Sequence, residues 1–520
     1  MLLADVLAAS DAVAATRSRT AKAAAIAGLL RRAAAGEVRP VTAWLSGEPL
    51  QGRLGVGWRT LSRSARGEAP SASLTVADVD GALTGLAATA GPGSTARREE
   101  LLDRLLGAAT GAEQHFLVRL LTGELRQGAL EGVVLDAVAS AAEVPAAAVR
   151  RAFMLSGSLP ETAATALTGG AAALAAVRLE VGRPVHPMLA SPGSSLDAAL
   201  ADLGAEVTVE YKLDGARIQV HRDGDEVRVW TRTLREVTAS VPELVERVRA
   251  LPCHAAVLDG ETLALDADGR PRAFQDTMSR FGSDGAGGET AAGALLSPFF
   301  FDLLHLDGRD LLDEPLRVRL DALAGLLADE EHAALRMPGV RRPDPGRAAG
   351  VLDDALAAGH EGVVVKALGA PYAAGRRGKA WQKVKPVLTL DLVVIGAEWG
   401  YGRRTGKLSN IHLGARDPDG GEPVMVGKTF KGMTDDLLDW QTQTFPELAR
   451  EQPDWGVLLR PELVVEIALD GVQRSPRYAG GVALRFARVL RYRPDKTVAD
   501  ADTIDAVRAL LGTNDEGTTQ

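Results

Sequence analysis

The chain has 520 residues, a formal net charge of −9 and one cysteine. That length supports about three domains with proper cores. The single Cys253 excludes intramolecular disulfides and a cysteine-based zinc finger, and the mixed composition excludes a disordered chain. The acidic balance neither supports nor excludes nucleic acid, because arginines cluster locally at Arg17 to Arg32, Arg403-Arg404 and Arg474 to Arg493. Phosphates respond to such local stripes, since charges beyond about 10 Å are screened.

Residues up to about 185 are predicted to be helical. Apolar residues recur at spacings of three and four, as in Phe116, Leu117, Leu120, Leu121 and Leu130, Val133, Val134, Ala137. Loops are expected near Arg66 to Ser73 and Ala90 to Ser94. The amino terminus, with Asp5 and Asp11 before any basic cluster, reads as an amphipathic helix and not a secretory signal. The longest apolar run, Leu295 to Leu306, is broken by Asp302 and His305 and is too short to span a bilayer. A cytoplasmic protein is therefore expected. Pro184, Pro187 and Pro192 then mark a hinge or linker.

From about 186 to 386 strands dominate. Ala216 to Arg222 and Glu226 to Arg232 alternate in polarity around Asp223-Gly224, a hairpin signal. Ser240 and Glu243 have the spacing of a capping box for a helix carrying Leu244, Val245 and Val248. Strands are predicted at Ala256 to Leu265, Pro298 to Leu304 and Gly362 to Lys366. Residues 387–512 read as short strands between Gly-rich turns, the pattern of a small barrel, and 513–520 as a disordered tail.

The most informative run is Glu210-Tyr211-Lys212-Leu213-Asp214-Gly215-Ala216-Arg217. It ends an alternating strand with an amine, beside a glycine that can turn the backbone sharply. Such an amine can attack phosphorus once its proton is stripped. A free lysine has a pKa of about 10.4, so holding it neutral near pH 7.5 costs roughly 4 kcal/mol, supplied by burial or neighbouring cations. Five further islands each suit one part of a nucleotide. Val257 to Glu261 ends a strand with two carboxylates, of which Glu261 suits a ribose hydroxyl or a metal. Phe299-Phe300-Phe301-Asp302 offers a ring, Phe301, to a purine. Glu361 to Lys366 puts opposite charges at the two ends of one strand. Lys383 and Lys385 alternate with Val384 and share one strand face, able to grip one phosphate. Arg485 to Lys496 is a basic stretch able to reach outer phosphates. Singly, each has a duller reading: a core phenylalanine, a solvated turn glutamate, an exposed strand face, a surface charge stripe. Their joint occurrence in this order is what outweighs those readings.

The segment Lys212 to Arg217 resembles the Lys-x-Asp-Gly-x-Arg signature of covalent nucleotidyltransferases, the superfamily of ATP-dependent ligases and mRNA capping enzymes. The specific resemblance is to ATP-dependent DNA ligases of the archaeal and eukaryotic replicative type that also occur in actinobacteria, and it covers nearly the whole chain. Phe116 to Gly128 is similar to part of their helical DNA-binding domain, and Thr231 to Leu234 and Phe274 to Arg280 to their adenylation domain. The resemblance implies a multidomain protein: an all-α N-terminal DNA-binding domain (1–185), an α+β adenylation domain (186–386) and an all-β OB-fold barrel (387–512). It further implies that Lys212 is adenylated by ATP, that Glu210 reads adenine and that Phe301 stacks on it. Arg217 and Arg232 would hold the ribose and phosphate region, Glu261 the ribose, and Glu261 and Glu361 a magnesium ion. Arg377, Lys383 and Lys385 would hold the α-phosphate, Lys366 would help bind the nucleotide, and Arg485 to Lys496 would orient the departing pyrophosphate. Nicked duplex DNA is the implied partner and a monomer, associated with the nucleoid, the implied form. Capping enzymes and RNA ligases share the lysine chemistry but lack a reason for the long helical region. NAD-dependent ligases carry a four-cysteine zinc site that one cysteine cannot build. A catalytically dead nick-binding clamp is disfavoured by intact Lys212, Glu261, Glu361 and Lys383.

Overall fold

The computed structural model describes all residues except 53, 58–60, 62–66, 126, 128–130, 267–268, 273–276, 279, 282–294, 374–378 and 512–520. Residues Leu3 to Ala176 form helices that bury one shared core, including Phe116, Leu117, Leu120, Val133, Val134 and Ala137. The predicted periodicity thus marks the buried faces, while Leu130 lies outside the described residues. Capping shows why these helices start where they do. Thr110 and Glu113 form a reciprocal capping box ahead of Gly111–Leu121, satisfying backbone donors that would otherwise lack partners.

Among the described residues ten strands follow: β1 (Ser191–Pro192), β2 (Val207–Lys212), β3 (Ala216–Asp223), β4 (Glu226–Thr231), β5 (Ala255–Ala264), β6 (Leu296–Leu306), β7 (Arg309–Asp310), β8 (Gly339–Arg341), β9 (Gly362–Ala367) and β10 (Trp381–Val384). They make two five-stranded sheets, ordered β1-β10-β9-β2-β8 and β4-β3-β5-β6-β7. Because strand side chains alternate between faces, one face of each sheet packs into an apolar core, and on the second sheet Val257, Phe301 and Leu304 join a further apolar cluster on the other face. In the first, Val207, Val209, Val363, Val365 and Val384 pack against the helices Leu196–Leu203 and Pro345–Ala357. In the second, Ile218, Val220, Val229, Leu258 and Phe300 form the core. The functional residues are left on the two remaining faces.

The predicted hairpin is β3–β4, turning at Gly224 with φ +57°. The predicted capping box does not form. The helix Pro242–Arg249 does bury Leu244, Val245 and Val248, but it starts from Val241 with proline in its first turn. Ser240 ends a short 3₁₀ turn instead. Glu243 is taken by Arg280, at 3.0 Å, and by the Leu296 N–H. A tertiary ion pair has outcompeted a local cap.

The C-terminal region holds β11 (Leu388–Trp399), β12 (Leu408–Ala415), β13 (Val424–Thr429), β14 (Ala449–Glu451), β15 (Gly456–Leu459), β16 (Val464–Leu469), β17 (Gly471–Arg474), β18 (Val482–Arg485) and β19 (Arg488–Tyr492). The long β11 pairs with β12 on one side and with β16 and β15 on the other. β16 pairs with β19, whose Val489 N–H donates to Lys431 O at 3.0 Å just beyond β13, bringing the sheet round on itself. The reading of this region as strands and turns alone omitted the helix Asp435–Thr444, which Thr434 caps and which buries Leu438 and Gln441.

The proline-marked linker is not a free hinge. Gly182 N–H donates to His221 Nδ1 at 2.9 Å, and Gln219 bonds both the N–H and the C=O of Val185. Tyr372 Oη accepts from Met188 N–H at 3.0 Å, while Arg217 donates to Met188 O at 2.7 Å. Side chains of β3 and its neighbours therefore replace a missing strand partner for the linker backbone. Burial holds the His221 ring near a pKa of about 3, with the His305 charge adding to the effect, so it stays neutral as an acceptor of the Gly182 N–H.

Candidate active site

Register explains which residues meet. In the first sheet Lys212 lies opposite Gly362, Glu210 opposite Val364 and Thr208 opposite Lys366, while Lys366 and Val364 face Trp381 and Lys383 of β10. Glu210, Lys212, Lys366, Trp381 and Lys383 therefore share one face. Gly362, with φ +144°, admits this arrangement: a Cβ there would lie 2.3 Å from Val384 O. In the second sheet Arg217 lies directly opposite Glu261, with Gln219 opposite Asp259. The two faces border a cavity of about 590 Å³ lined by Glu210, Lys212, Asp214, Arg217, Arg232, Glu261, Phe301, Lys366, Trp381 and Lys383.

Within it, the Lys212 ammonium is hydrogen-bonded to Glu361 Oε2, and the Glu361 N–H donates to Lys212 O at 3.0 Å. Lys383 stands on the same wall. Burial lowers its pKa, as do the nearby charges of Lys212 and Lys385, so its ammonium gains from any anion that enters. Burial raises Glu261 to about 7 against the opposing pull of Arg217 and Lys212, with Asp259 and Asp214 adding to the rise. Phe301 is buried, with Lys366 Nζ at 4.2 Å and the Arg217 guanidinium carbon at 5.1 Å from its ring centre.

Other predicted residues are placed differently. Arg217 lines the cavity, but its nitrogens are engaged in a bidentate pair with Asp259 (2.9 and 2.6 Å) and in the bond to Met188 O. Burial opposes its charge, yet Asp259 outweighs this and holds the guanidinium firmly protonated. Arg232 is exposed at the cavity rim. Lys385 is paired with Asp470 at 2.8 Å, and Arg485 with Asp214 of the Lys-Leu-Asp-Gly turn at 2.7 Å, so two ion pairs join the C-terminal region to the two-sheet region, one of them at that turn. Lys496 is not brought to the cavity; it pairs with Asp391 at 2.5 Å, beside Arg493. Arg377 lies outside the described residues. Among the described residues no cluster of three or more histidine, cysteine, aspartate or glutamate side chains is placed to hold a metal ion, and no helix is long and apolar enough to cross a membrane.

Three participants escaped the sequence reading. Tyr372 donates to Asp259 Oδ2 at 2.6 Å and is held well above its ordinary pKa by burial and that carboxylate. Met188 contributes only its backbone, which no residue pattern reveals. Trp381 places its ring 4.5 Å from Lys366 Nζ; alternation puts it on the same side of its strand as Lys383, but its place opposite Lys366 comes from the register of β9 and β10.

Comparison with known proteins decides the family. The model for the ATP dependent DNA ligase domain matches residues 187–385, that for the DNA ligase N terminus 56–139, and that for the ATP dependent DNA ligase C terminal region 404–496. A probable DNA ligase of Rhodococcus jostii is 64% identical over 511 residues, covering 98% of this chain and 100% of the relative. The chain belongs to the ATP-dependent DNA ligases. A probable DNA ligase of Nocardia farcinica is 63% identical over 531 residues, with 98% and 100% coverage. The solved structure called Pmar-Lig_PreS3 superposes with a TM-score of 0.61 at 16% identity, covering 94% of this ligase and 99% of that chain, a likeness of fold. The helical region, the adenylation domain and the all-β C-terminal domain are those of the ligase family.

Proposed function

We propose that this ligase seals nicks in duplex DNA with Lys212 as the covalent carrier of adenylate. The observation that carries this reading is Lys212 itself, at the end of β2 on the cavity wall, paired with Glu361 and flanked by Lys383. Once its ammonium proton has passed to solvent, Nζ attacks the α-phosphorus of ATP, forming a P–N bond as the bond to pyrophosphate breaks. AMP then passes to the 5′-phosphate of a nick. The 3′-hydroxyl displaces it, closing the strand and releasing AMP. Each step is in-line phosphoryl transfer, in which positioning and charge neutralisation do most of the catalysis.

In this reading Glu210 receives the adenine amine, Phe301 packs on the base, and Glu261 and Arg232 hold the ribose side. Lys383, with Lys385 and Arg377, neutralises the α-phosphate. Arg217 acts as a positioning residue that holds Phe301 and the linker. Arg485 stands ready for the pyrophosphate, whereas Lys496 reaches it only by exchanging Asp391 for phosphate. A divalent magnesium ion fits Glu261 and Glu361: Glu261 is a buried carboxylate crowded by two further acids, which an added cation relieves. Magnesium sites commonly take one or two carboxylates and complete their shell with substrate phosphates and water. When bound, the ion supplies charge to the phosphate oxygens. The helical region holds the duplex, and the protein works as a monomer in the cytoplasm, at the nucleoid.

Intact-mass measurement after incubation with ATP, GTP or NAD and magnesium tests the proposal. An AMP adduct from ATP alone, mapped to Lys212, is expected. A GMP adduct, or a label at another residue, overturns it.

A further inference from the structure

Glu210 and Lys366 form an ion pair inside the wall of the nucleotide cavity. The distance from Nζ to Oε2 is 2.5 Å, and the two side chains are 3% and 6% exposed. They are diagonal neighbours across β2 and β9, so the sheet fixes their approach. The ammonium is also boxed by two rings, Phe301 at 4.2 Å and Trp381 at 4.5 Å. Opposite Glu210, Gly339 leaves no room for a side chain: a Cβ would fall 2.7 Å from Glu210 Cγ.

Three of the other charges around Glu210 are held by partners of their own. Asp302 on β6 is bound to Arg319 at 2.7 Å, Arg341 on β8 pairs with Asp321, and Lys212 on its own strand pairs with Glu361. Arg336 borders the cavity behind Glu210. Burial raises the Glu210 carboxyl, and Asp302 adds to that rise; Lys366 pulls it back. An ionised carboxylate can only accept hydrogen bonds, whereas a protonated one also donates. Adenine offers an N–H donor at its 6-position, while guanine and hypoxanthine offer an oxygen acceptor there.

We propose that Lys366 sets the base specificity of adenylation, by keeping Glu210 an obligate acceptor that admits 6-aminopurine nucleotides and refuses 6-oxopurine ones. This rests on the reading of Glu210 as the group that meets the base edge. Remove the Lys366 charge, and Glu210 carries a proton that it donates to a 6-oxo group.

The test compares covalent nucleotidylation of the full chain by ATP and by inosine triphosphate, with KM and kcat measured from pH 5.5 to 8.5. Lys366→Met keeps an unbranched chain between the rings and removes the charge. It is expected to lower the ATP-to-ITP ratio of kcat/KM by about 30-fold or more, mainly through KM, with ITP favoured further as pH falls. Lys366→Arg, which keeps the charge, should hold the ratio near that of the unaltered protein. Should Lys366→Met fail to fold, Lys366→Gln carries the same expectation. A ratio within about threefold of the unaltered protein at every pH, in a charge-free variant that still forms the AMP adduct, overturns the proposal. Glu210→Gln separates the two levels, because an amide both donates and accepts. If Glu210→Gln collapses the ratio and the Lys366 variants do not, the role of Lys366 alone fails; if Glu210→Gln also leaves it unchanged, the reading of Glu210 fails.

Discussion

Two basic stretches look alike in the sequence and are used differently in the fold. Lys383 stands on β10 with Lys385 just beyond it, and Arg491 stands on the barrel strand β19 with Arg493 and Lys496 after it. On β10, Lys383 lines the nucleotide cavity beside Lys212, and cations around it add to the cost of its charge. In the barrel, Arg491 pairs with Glu466 at 2.7 Å, Arg493 with Asp391 and Asp495, and Lys496 with Asp391. A phosphate gains most from cations whose charge the protein has left uncompensated. Counting basic residues therefore locates a phosphate site less well than asking which of them are already paired.

Variants can break this contrast or sharpen it. Lys212→Ala should abolish the AMP adduct, with a loss of at least about 10³-fold in single-turnover labelling, while binding to nicked duplex stays intact. Lost binding or an unfolded far-UV spectrum would make Lys212 structural instead. Lys383→Met should slow adduct formation by about 10²-fold, mostly in kcat, because its charge matters most as the phosphate rearranges. An unchanged rate would put Lys383 in the same class as the barrel cations. Asp391→Asn should change adduct formation by less than about fivefold but lower the denaturation midpoint, reflecting about 1–2 kcal/mol for two cations left short of a partner. A rate loss as large as that of Lys383→Met would mean the paired barrel cations act in the first step.

The last effect concerns pH and stability, with no change in rate. Glu261 is raised to about 7 by burial, from an ordinary carboxylate value of 4.5. The folded protein therefore binds the extra proton more tightly than the unfolded chain does. Stability from this group is present below pH 4.5 and is lost as pH rises through 7, by an amount on the order of 3 kcal/mol. In chelator, thermal unfolding should show this decline, and Glu261→Gln should flatten it. A slope unaffected by the substitution would assign the decline to other groups.

Much of the site was legible because strands alternate. Period two puts Glu210 on the same side of β2 as Lys212, and Trp381 on the same side of β10 as Lys383, while their meeting with Lys366 on β9 depends on the register between strands. What was not legible depends on contacts between distant segments. Arg217 looked like a nucleotide ligand, since no local pattern shows that Asp259, 42 residues on, would occupy it. Glu243 had the right spacing for a cap, and lost it to Arg280, 37 residues away. The prolines after residue 183 announced a break in helix, but whether that break swings or docks depended on Gln219, His221 and Tyr372.

The grip on Met188 has a practical corollary. Its peptide groups are the fourth side of a frame whose other sides are Arg217, Asp259 and Tyr372, so the linker is itself a strut of the cavity that Lys212 lines. A shortened version cut just upstream of residue 187, where the central family match begins, would lose the ties at Gly182 and Val185 and leave that strut with a loose end. Anyone trimming the enzyme should cut well ahead of Gly182.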